Sequence, residues 1–134
     1  MEITVHASRL SGTVMAPPSK SLSQRAVVAG LLARGTSIIH NPSFCNDSLA
    51  AMKMAENLGA VIRRYKDRIS ITSGEPPGSM VTLHCGESGL ALRMFAPVAM
   101  LFSNHVTMTG EGSLTGRPVT MITEALPKLG VDCT

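Results

Sequence analysis

The sequence contains few aromatic residues and no long hydrophobic segment. Its 134 residues include one Tyr, three Phe and no Trp, which is too few for the aromatic platforms that stack nucleic-acid bases. The cleanest apolar run, residues 26–33, is far shorter than the roughly 20 residues that a membrane-spanning helix needs. A net charge of +3 is too small and too dispersed to indicate a nucleic-acid surface. We therefore expect neither a nucleic-acid partner nor a membrane partner.

Cysteine is also scarce, and its spacing excludes two kinds of site. Cys45, Cys85 and Cys133 are odd in number and form no C-x-x-C pair, so we expect reduced thiols and a cytoplasmic protein. His84 is the one histidine beside a cysteine, whereas a structural zinc site needs about four clustered ligands. We expect no metal. The first five residues also lack the basic region and apolar core of a signal peptide.

What the sequence does contain is a hydrophobic fraction of 44%, enough for one domain with its own core. Patterns of apolar spacing, Gly and Pro predict an alternation of strands and helices. Strands are predicted over residues 2–7, 36–40, 61–65, 68–72, 80–84 and 105–109, the third and fourth as a hairpin across residues 66–67. Helices are predicted over about 21–33, from a cap at Asn46 or Asp47 to 58, over 88–102, and from Pro118 to about 129.

Two features of these elements indicate a repeated architecture. The helical segments 26–33 and 94–102 are apolar all round, which predicts helices buried on all sides beneath strands. The pairs Leu58-Gly59 and Leu129-Gly130 lie 71 residues apart, and the order helix, strand, helix, strand recurs around them. The second unit has barely begun its last strand at Thr134, and the strand at 2–7 belongs to neither unit. We therefore expect part of a longer chain.

Residues 17–25, PPSKSLSQR, are the first candidate site. Lys20, Ser21 and Arg25 crowd the start of a predicted helix, with Ser21 and Arg25 four residues apart and so on one face. Free backbone N–H groups and the helix dipole favour an anion there, and two cations with hydroxyls would hold a carboxylate or phosphate. Ordinary helix capping by serine with two solvated cations explains the same residues equally well.

Two further segments also lie where a strand enters a helix. Gly89, in residues 85–93, would let a ligand approach the backbone closely, and Arg117, in residues 110–118, lies directly before a predicted helix. Neither the phosphate-binding P-loop pattern nor the dinucleotide fingerprint occurs. Taken singly, these segments are an ordinary turn and a surface arginine. Taken together, the three segments could converge on one anionic ligand.

The three segments, in this order and spacing, resemble the EPSP synthase family. The matching stretches are 17–26 (PPSKSLSQRA), 86–93 (GESGLALR) and 114–118 (LTGRP). The resemblance implies an α/β (α+β) fold: an inside-out α/β barrel of repeated βαβαββ units, with buried helices and outer sheets, forming part of a two-domain protein. It assigns residues 1–15 to a strand of the other domain. Residues 16–134 would form about one and a half to two units of the N-terminal lobe.

The resemblance also implies an activity. Family members transfer the enolpyruvyl group of phosphoenolpyruvate to shikimate 3-phosphate, a step of the shikimate pathway towards chorismate and the aromatic amino acids, and they need no cofactor or metal. The residues implied to contact shikimate 3-phosphate are Lys20, Ser21 and Arg25. Those implied to contact phosphoenolpyruvate are Lys20, Gly89 and Arg117. Arg93 and Asp47 would support them.

The sequence departs from the family pattern at three positions, Glu87, Leu90 and Met94, where the family usually has Asn, Thr, and Pro or Leu. The resemblance places the catalytic acid and base groups in later sequence, so it implies no catalytic residue among these 134. We expect the chain alone to be inactive and to require the remaining C-terminal portion as its partner. The alternative is a non-catalytic anion-binding module that is complete at this length.

Overall fold

The computed structural model describes residues 2–78 and 80–134, which form a mixed α/β structure. Its described elements, in chain order, are α1 (Lys20–Leu32), β1 (Thr36–His40), α2 (Asn46–Asn57), β2 (Val61–Arg64), β3 (Arg68–Thr72), β4 (Met80–His84), α3 (Gly89–Ala99), β5 (His105–Thr109) and α4 (Thr120–Ala125). Short 3₁₀ turns lie at Gly112–Leu114, before α4, and at Leu126–Leu129, directly after it. The mixed class agrees with the sequence prediction.

The strands form two separate sheets. One has the order β1-β3-β2 and is antiparallel throughout, with β2 and β3 joined as the predicted hairpin. The other pairs β4 with β5 in parallel, and α3 makes the crossover connection that parallel strands require. Because three strands and two strands pair separately, the described residues form no closed barrel, and the predicted inside-out barrel is not observed in them.

The core lies where α1 and α2 pack between the sheets. Val27, Leu31 and Met52 are fully buried, as is Ile71 on β3. At Gly30 on α1, a Cβ atom would come within 3.1 Å of the Ile71 side chain. Glycine therefore lets α1 lie directly against β3, and this packing fixes the direction in which the start of α1 points.

Two expectations differ from the structure. The predicted strand at residues 2–7 is absent: residues 2–19 contain neither helix nor strand, because no described strand offers them backbone partners. The segments 26–33 and 94–102 are not buried on all sides, since Leu32 is 47% exposed on α1 and Leu101 is 71% exposed just after α3. The elements that pack on α1 within the described residues cover only one of its sides. The assignment of residues 1–15 to another domain stays a prediction.

Local signals explain the helix ends. Ser19 and Ser88 cap α1 and α3, each accepting a hydrogen bond from the backbone N–H three residues later. The predicted side-chain cap of α2 is wrong: Cys45 occupies the N-cap position without a side-chain bond, and Asn46 begins the helix. The last helix is also shorter than predicted. It starts at Thr120 and passes into a 3₁₀ turn around Pro127, because proline removes a helical hydrogen bond.

Candidate functional site

A cavity of about 430 Å³ opens where α1 and α3 begin. The residues that line it come from four segments distant in sequence: Lys20, Ser21, Gln24, Asp47, Glu87, Ser88, Gly89, Leu90, Ser113 and Arg117. Lys20 and Gly89 are the first residues of their helices, so two helix N-termini, each with free N–H groups and a positive dipole end, border the same space. The three sequence segments singled out above therefore converge.

Lys20 enters the cavity paired with a carboxylate. Its Nζ atom lies 2.9 Å from Oδ2 of Asp47, in the first turn of α2. The hydrogen bond from Lys20 to Asp47, together with the negative charge of Asp47, raises the pKa of Lys20 above its ordinary value. Lys20 is thus a fixed positive charge, and a bound anion would have to share it with Asp47.

Gly89 lies under two guanidinium groups. A Cβ atom at this position would be 3.1 Å from Nη1 of Arg117 and 3.2 Å from Nη1 of Arg93. The Arg93 Nη1 atom also donates to the Gly89 carbonyl oxygen at 3.3 Å, a contact between residues four apart on α3. The absence of a side chain at Gly89 is what admits the Arg117 guanidinium to this wall of the cavity.

Arg117 is held from its other side by the loop before α4. Its Nη2 atom donates to Oγ of Ser113 at 2.9 Å, and the Ser113 backbone N–H donates to Oε2 of Glu87 at 2.9 Å. The hydrogen bonds from the Ser113 backbone and side chain, with a smaller contribution from the charge of Arg117, lower the pKa of Glu87. Glu87 therefore stays ionised and ties the start of α3 to the loop that carries Arg117.

Gln24 forms the least exposed part of the cavity wall. It follows Lys20 by four residues on α1, is fully buried, and accepts a hydrogen bond at Oε1 from the Ser88 hydroxyl at 2.8 Å. The Ser88 hydroxyl in turn accepts the Ala91 N–H at 3.2 Å as the cap of α3. This pair connects the starts of α1 and α3, 64 residues apart in sequence.

The structure separates the sequence-predicted residues into two groups. Those that line the cavity are Lys20, Ser21, Asp47, Gly89 and Arg117. Arg93 lies behind Gly89. Arg25 is exposed and is not part of the cavity wall, because the face of α1 that borders the cavity carries Lys20, Ser21 and Gln24. In the described part of the chain, Arg25 makes no ion pair.

Comparison with known proteins identifies the family of the chain. The family model of EPSP synthase (3-phosphoshikimate 1-carboxyvinyltransferase) matches residues 5–134. The chain belongs to the EPSP synthase family. It is 42% identical over 127 residues to a 3-phosphoshikimate 1-carboxyvinyltransferase of Methanobrevibacter smithii, covering 92% of this chain and 29% of that protein. To the protein of the same name from Methanocorpusculum labreanum it is 36% identical over 139 residues, covering 100% and 32%.

The fold shows the same relationship. A solved EPSP synthase from Acinetobacter baumannii superposes with a TM-score of 0.74 at 27% identity, covering 90% of this chain and 28% of that one. The chain therefore has the fold of part of an EPSP synthase. It spans only about three-tenths of the length of these family members.

Several cavity residues were not found from sequence. Ser88 and Ser113 look like ordinary capping and loop serines, and their roles depend on partners at least 4 residues away. Gln24 is one of several polar residues in the first two turns of α1, and the partner that distinguishes it is 64 residues away. Across residues 2–78 and 80–134 there is no group of three or more His, Cys, Asp or Glu side chains placed to hold a metal ion. The helices described are too short or too polar to cross a membrane.

Proposed function

We propose that this chain provides part of the substrate site of an enolpyruvyl transferase, which moves the enolpyruvyl group of phosphoenolpyruvate to shikimate 3-phosphate. The observation that carries the proposal is the cavity in which Lys20 and Arg117 meet two helix N-termini. Each of these features favours negative charge, and both substrates are polyanions. Membership of the EPSP synthase family, whose curated relatives carry the name of this reaction, supports the choice of substrates.

Within this proposal, the cavity residues divide between the two substrates. Lys20 and Ser21, with Arg25 beside them, bind shikimate 3-phosphate, and Arg25 reaches it from the rim because it lies outside the cavity wall. Lys20, Gly89 and Arg117 bind phosphoenolpyruvate, and Gly89 contributes its backbone N–H at the start of α3 while leaving room for the Arg117 guanidinium. Arg93 and Asp47 hold Gly89 and Lys20 in place. No metal or organic cofactor is required by this scheme.

The chemistry that these residues supply is positioning. Two polyanions repel each other, and fixed cations and helix N-termini offset that repulsion while bringing the reacting hydroxyl and the enolpyruvyl carbon together. The reaction also needs groups that remove a proton from the hydroxyl and deliver one to the methylene carbon. We assign those groups to the rest of a longer protein, and we expect the 134-residue chain to bind anions without turnover.

The proposal extends to the architecture and the location of the whole protein. We propose that residues 16–134 are part of an inside-out α/β barrel of βαβαββ units, and that residues 1–15 join another domain. The recurring order α1-β1-α2 and α3-β5-α4 supports the repeat. The free thiols of the three cysteines are compatible with a cytoplasmic protein.

Isothermal titration of the chain with phosphoenolpyruvate and with shikimate 3-phosphate tests the site. Arg117→Ala should raise the Kd for phosphoenolpyruvate by roughly 10-fold to 100-fold, because a charge-assisted contact is lost. Arg63→Ala is the matched control, since Arg63 carries the same charge on exposed β2, away from the cavity. Absence of binding to either substrate, or equal losses in the two variants, would contradict the proposal.

Turnover distinguishes the transferase from a non-catalytic anion-binding module. Release of inorganic phosphate is measured with both substrates present, first for the 134-residue chain and then for any longer product of the same reading frame. The proposal expects release only from the longer protein. If no longer product exists and the chain binds phosphate and carboxylate compounds indiscriminately, the binding module is the correct assignment.

A further inference from the structure

Gln24 is a buried polar residue with one hydrogen-bonding atom left unused. It is the single glutamine of the chain and is fully buried. Its Oε1 atom accepts from Ser88, but among residues 2–78 and 80–134 its Nε2 atom has no hydrogen-bond partner. Native proteins satisfy the large majority of buried polar atoms. An unpaired amide donor in the wall of an anion-binding cavity therefore requires an explanation.

The carboxamide of Gln24 connects both helices. The Ser88 hydroxyl accepts the Ala91 N–H at 3.2 Å and donates to Oε1 of Gln24 at 2.8 Å. Gln24 itself is on α1, a helix that packs against β3 at Gly30. With the oxygen engaged, Nε2 is the atom of the carboxamide that has no partner among the described residues, and it is itself buried at the cavity wall.

The charges around the cavity show why an uncharged donor matters. Lys20 already has Asp47 as a partner at 2.9 Å, and Arg117 already donates to Ser113 at 2.9 Å. An anion that reaches either cation therefore competes with an existing contact. The Nε2 atom of Gln24 has no such contact to exchange, so a hydrogen bond from it to a ligand is a net gain.

We propose that Gln24 is a ligand-binding residue whose Nε2 donates a hydrogen bond to an anionic oxygen, of a phosphate or a carboxylate, held in the cavity. The inference rests on the proposed function and deepens it. It adds to Lys20 and Arg117 a neutral, directional donor at the most buried point of the wall. Because Nε2 can only donate, it selects for an oxygen acceptor and adds no charge of its own.

The single glutamine makes a direct test possible. Labelling the chain with glutamine carrying ¹⁵N at Nε2 gives one side-chain amide pair in an NMR spectrum, with no mutation needed. Inorganic phosphate, phosphoenolpyruvate and shikimate 3-phosphate are titrated in separate experiments, so that the results show which compound supplies the oxygen that accepts the hydrogen bond. We expect one of the two amide protons to move downfield and to exchange more slowly with solvent in at least one titration.

The outcomes separate this inference from the proposed function. A second sample labelled uniformly with ¹⁵N reports the backbone. If its amides at Ser21 and Gly89 shift with a ligand while the Gln24 pair stays in place in every titration, the inference is wrong and the binding site stands. If no signal responds to any of the three compounds, the proposed function fails and the inference fails with it. A response of the Gln24 pair that saturates together with the backbone shifts supports both.

Two substitutions measure the contribution. Gln24→Met keeps the length of the side chain and removes the donor, and we expect its Kd for the responding compound to rise by about 10-fold or more, as for a hydrogen bond to a charged group. Asn57→Leu is the matched control, because the Asn57 amide donates to the Thr82 carbonyl oxygen at 3.1 Å away from the cavity. Its Kd should stay within about twofold of the wild-type value.

A Kd for Gln24→Met within twofold of the wild-type value would overturn the inference. If Gln24→Met fails to fold, Gln24→Glu replaces it. That variant keeps the side-chain shape and retains an acceptor for Ser88, and its carboxyl group, once ionised, has no proton to donate and repels the ligand. Relative to wild type, binding by a folded Gln24→Glu protein should therefore weaken as the pH rises. Binding equal to that of wild type across the pH range would overturn the inference equally, and the labelled wild-type spectrum does not depend on either variant.

Discussion

Replacement of Gly89 by alanine gives the sharpest test of how the cavity is built. An added Cβ atom would lie 3.1 Å from Nη1 of Arg117 and 3.2 Å from Nη1 of Arg93, closer than ordinary van der Waals contact, so the guanidinium groups must move by a few tenths of an ångström. Arg117 is anchored to Ser113 at 2.9 Å, which limits the directions open to it. We therefore expect Gly89→Ala to displace the cation from its ligand-binding position.

The expected size of the effect follows from that displacement. Loss of one hydrogen bond to a charged group is worth about 1.5 to 3 kcal/mol, which corresponds to a rise in Kd of roughly 10-fold to 100-fold. The fold should not suffer, because Gly89 is the first residue of α3 and alanine favours a helix by up to about 1 kcal/mol over glycine. The variant should thus lose affinity while its urea midpoint stays level or rises.

The assay is titration with phosphoenolpyruvate and with inorganic phosphate, paired with urea denaturation. Gly116→Ala is the control within the Arg117 loop: a Cβ atom there meets nothing within 4 Å, so its Kd should remain within about twofold of wild type. A Gly89→Ala protein that binds as tightly as wild type would refute the argument that the missing side chain admits Arg117. Equal losses in the two variants would show that the loop, and not the contact at Gly89, controls affinity.

Two further predictions concern charge and protonation. Asp47→Asn should lower the Kd for inorganic phosphate a few-fold in calorimetry, because removing a negative charge from the cavity outweighs the loss of the 2.9 Å contact that orients Lys20. Weaker binding would show that the orienting contact is the larger of the two effects. Burial raises the pKa of Cys85 to about 11, whereas at exposed Cys45 a smaller burial effect is outweighed by hydrogen bonds from Ser43 and Ser48, which lower its pKa. At pH 8 a thiol reagent should label Cys45 well before Cys85, as measured by mass spectrometry, and early labelling of Cys85 would contradict its burial. The contribution of the neutral Cys85 thiol to the free energy of unfolding, present below pH 9, should be lost as the pH rises towards 11.

The elements that sequence alone predicts well are those with local signals. The bounds of β1 and β5 are as predicted, and the β2–β3 hairpin forms across residues 65–67. Each of these depends on alternation and on turn residues close by in the chain. The less accurate predictions concern segments whose structure depends on partners distant in sequence or on a proline inside a helix. The strand at residues 2–7 has no described partner, and α3 ends at Ala99 because Pro97 weakens its last turn.

The same distinction applies to the candidate site. Sequence brings Lys20, Gly89 and Arg117 together because each lies at the entry to a helix, and that rule is local. It places Arg25 with them by spacing and by the family resemblance, whereas in the structure α1 packs on Ile71 at Gly30 and turns Gln24, not Arg25, to the cavity. The cavity therefore receives Gln24. No periodicity in the sequence reveals this, since the Gln24 partner is 64 residues away.

The charged side chains that line the cavity both attract and repel an anionic ligand. Two cations and two carboxylates line it, and in the free protein Asp47 engages Lys20 while Glu87 holds the loop of Arg117 through Ser113. These contacts keep both cations oriented before a ligand arrives, so little ordering entropy is lost on binding. They also oppose an anion by charge. Net attraction must then come mainly from groups without a carboxylate partner, namely Arg117, which donates to the Ser113 hydroxyl, the N–H groups at the starts of α1 and α3, and the buried amide of Gln24. Added salt should consequently weaken anion binding less steeply than the two cations alone would require.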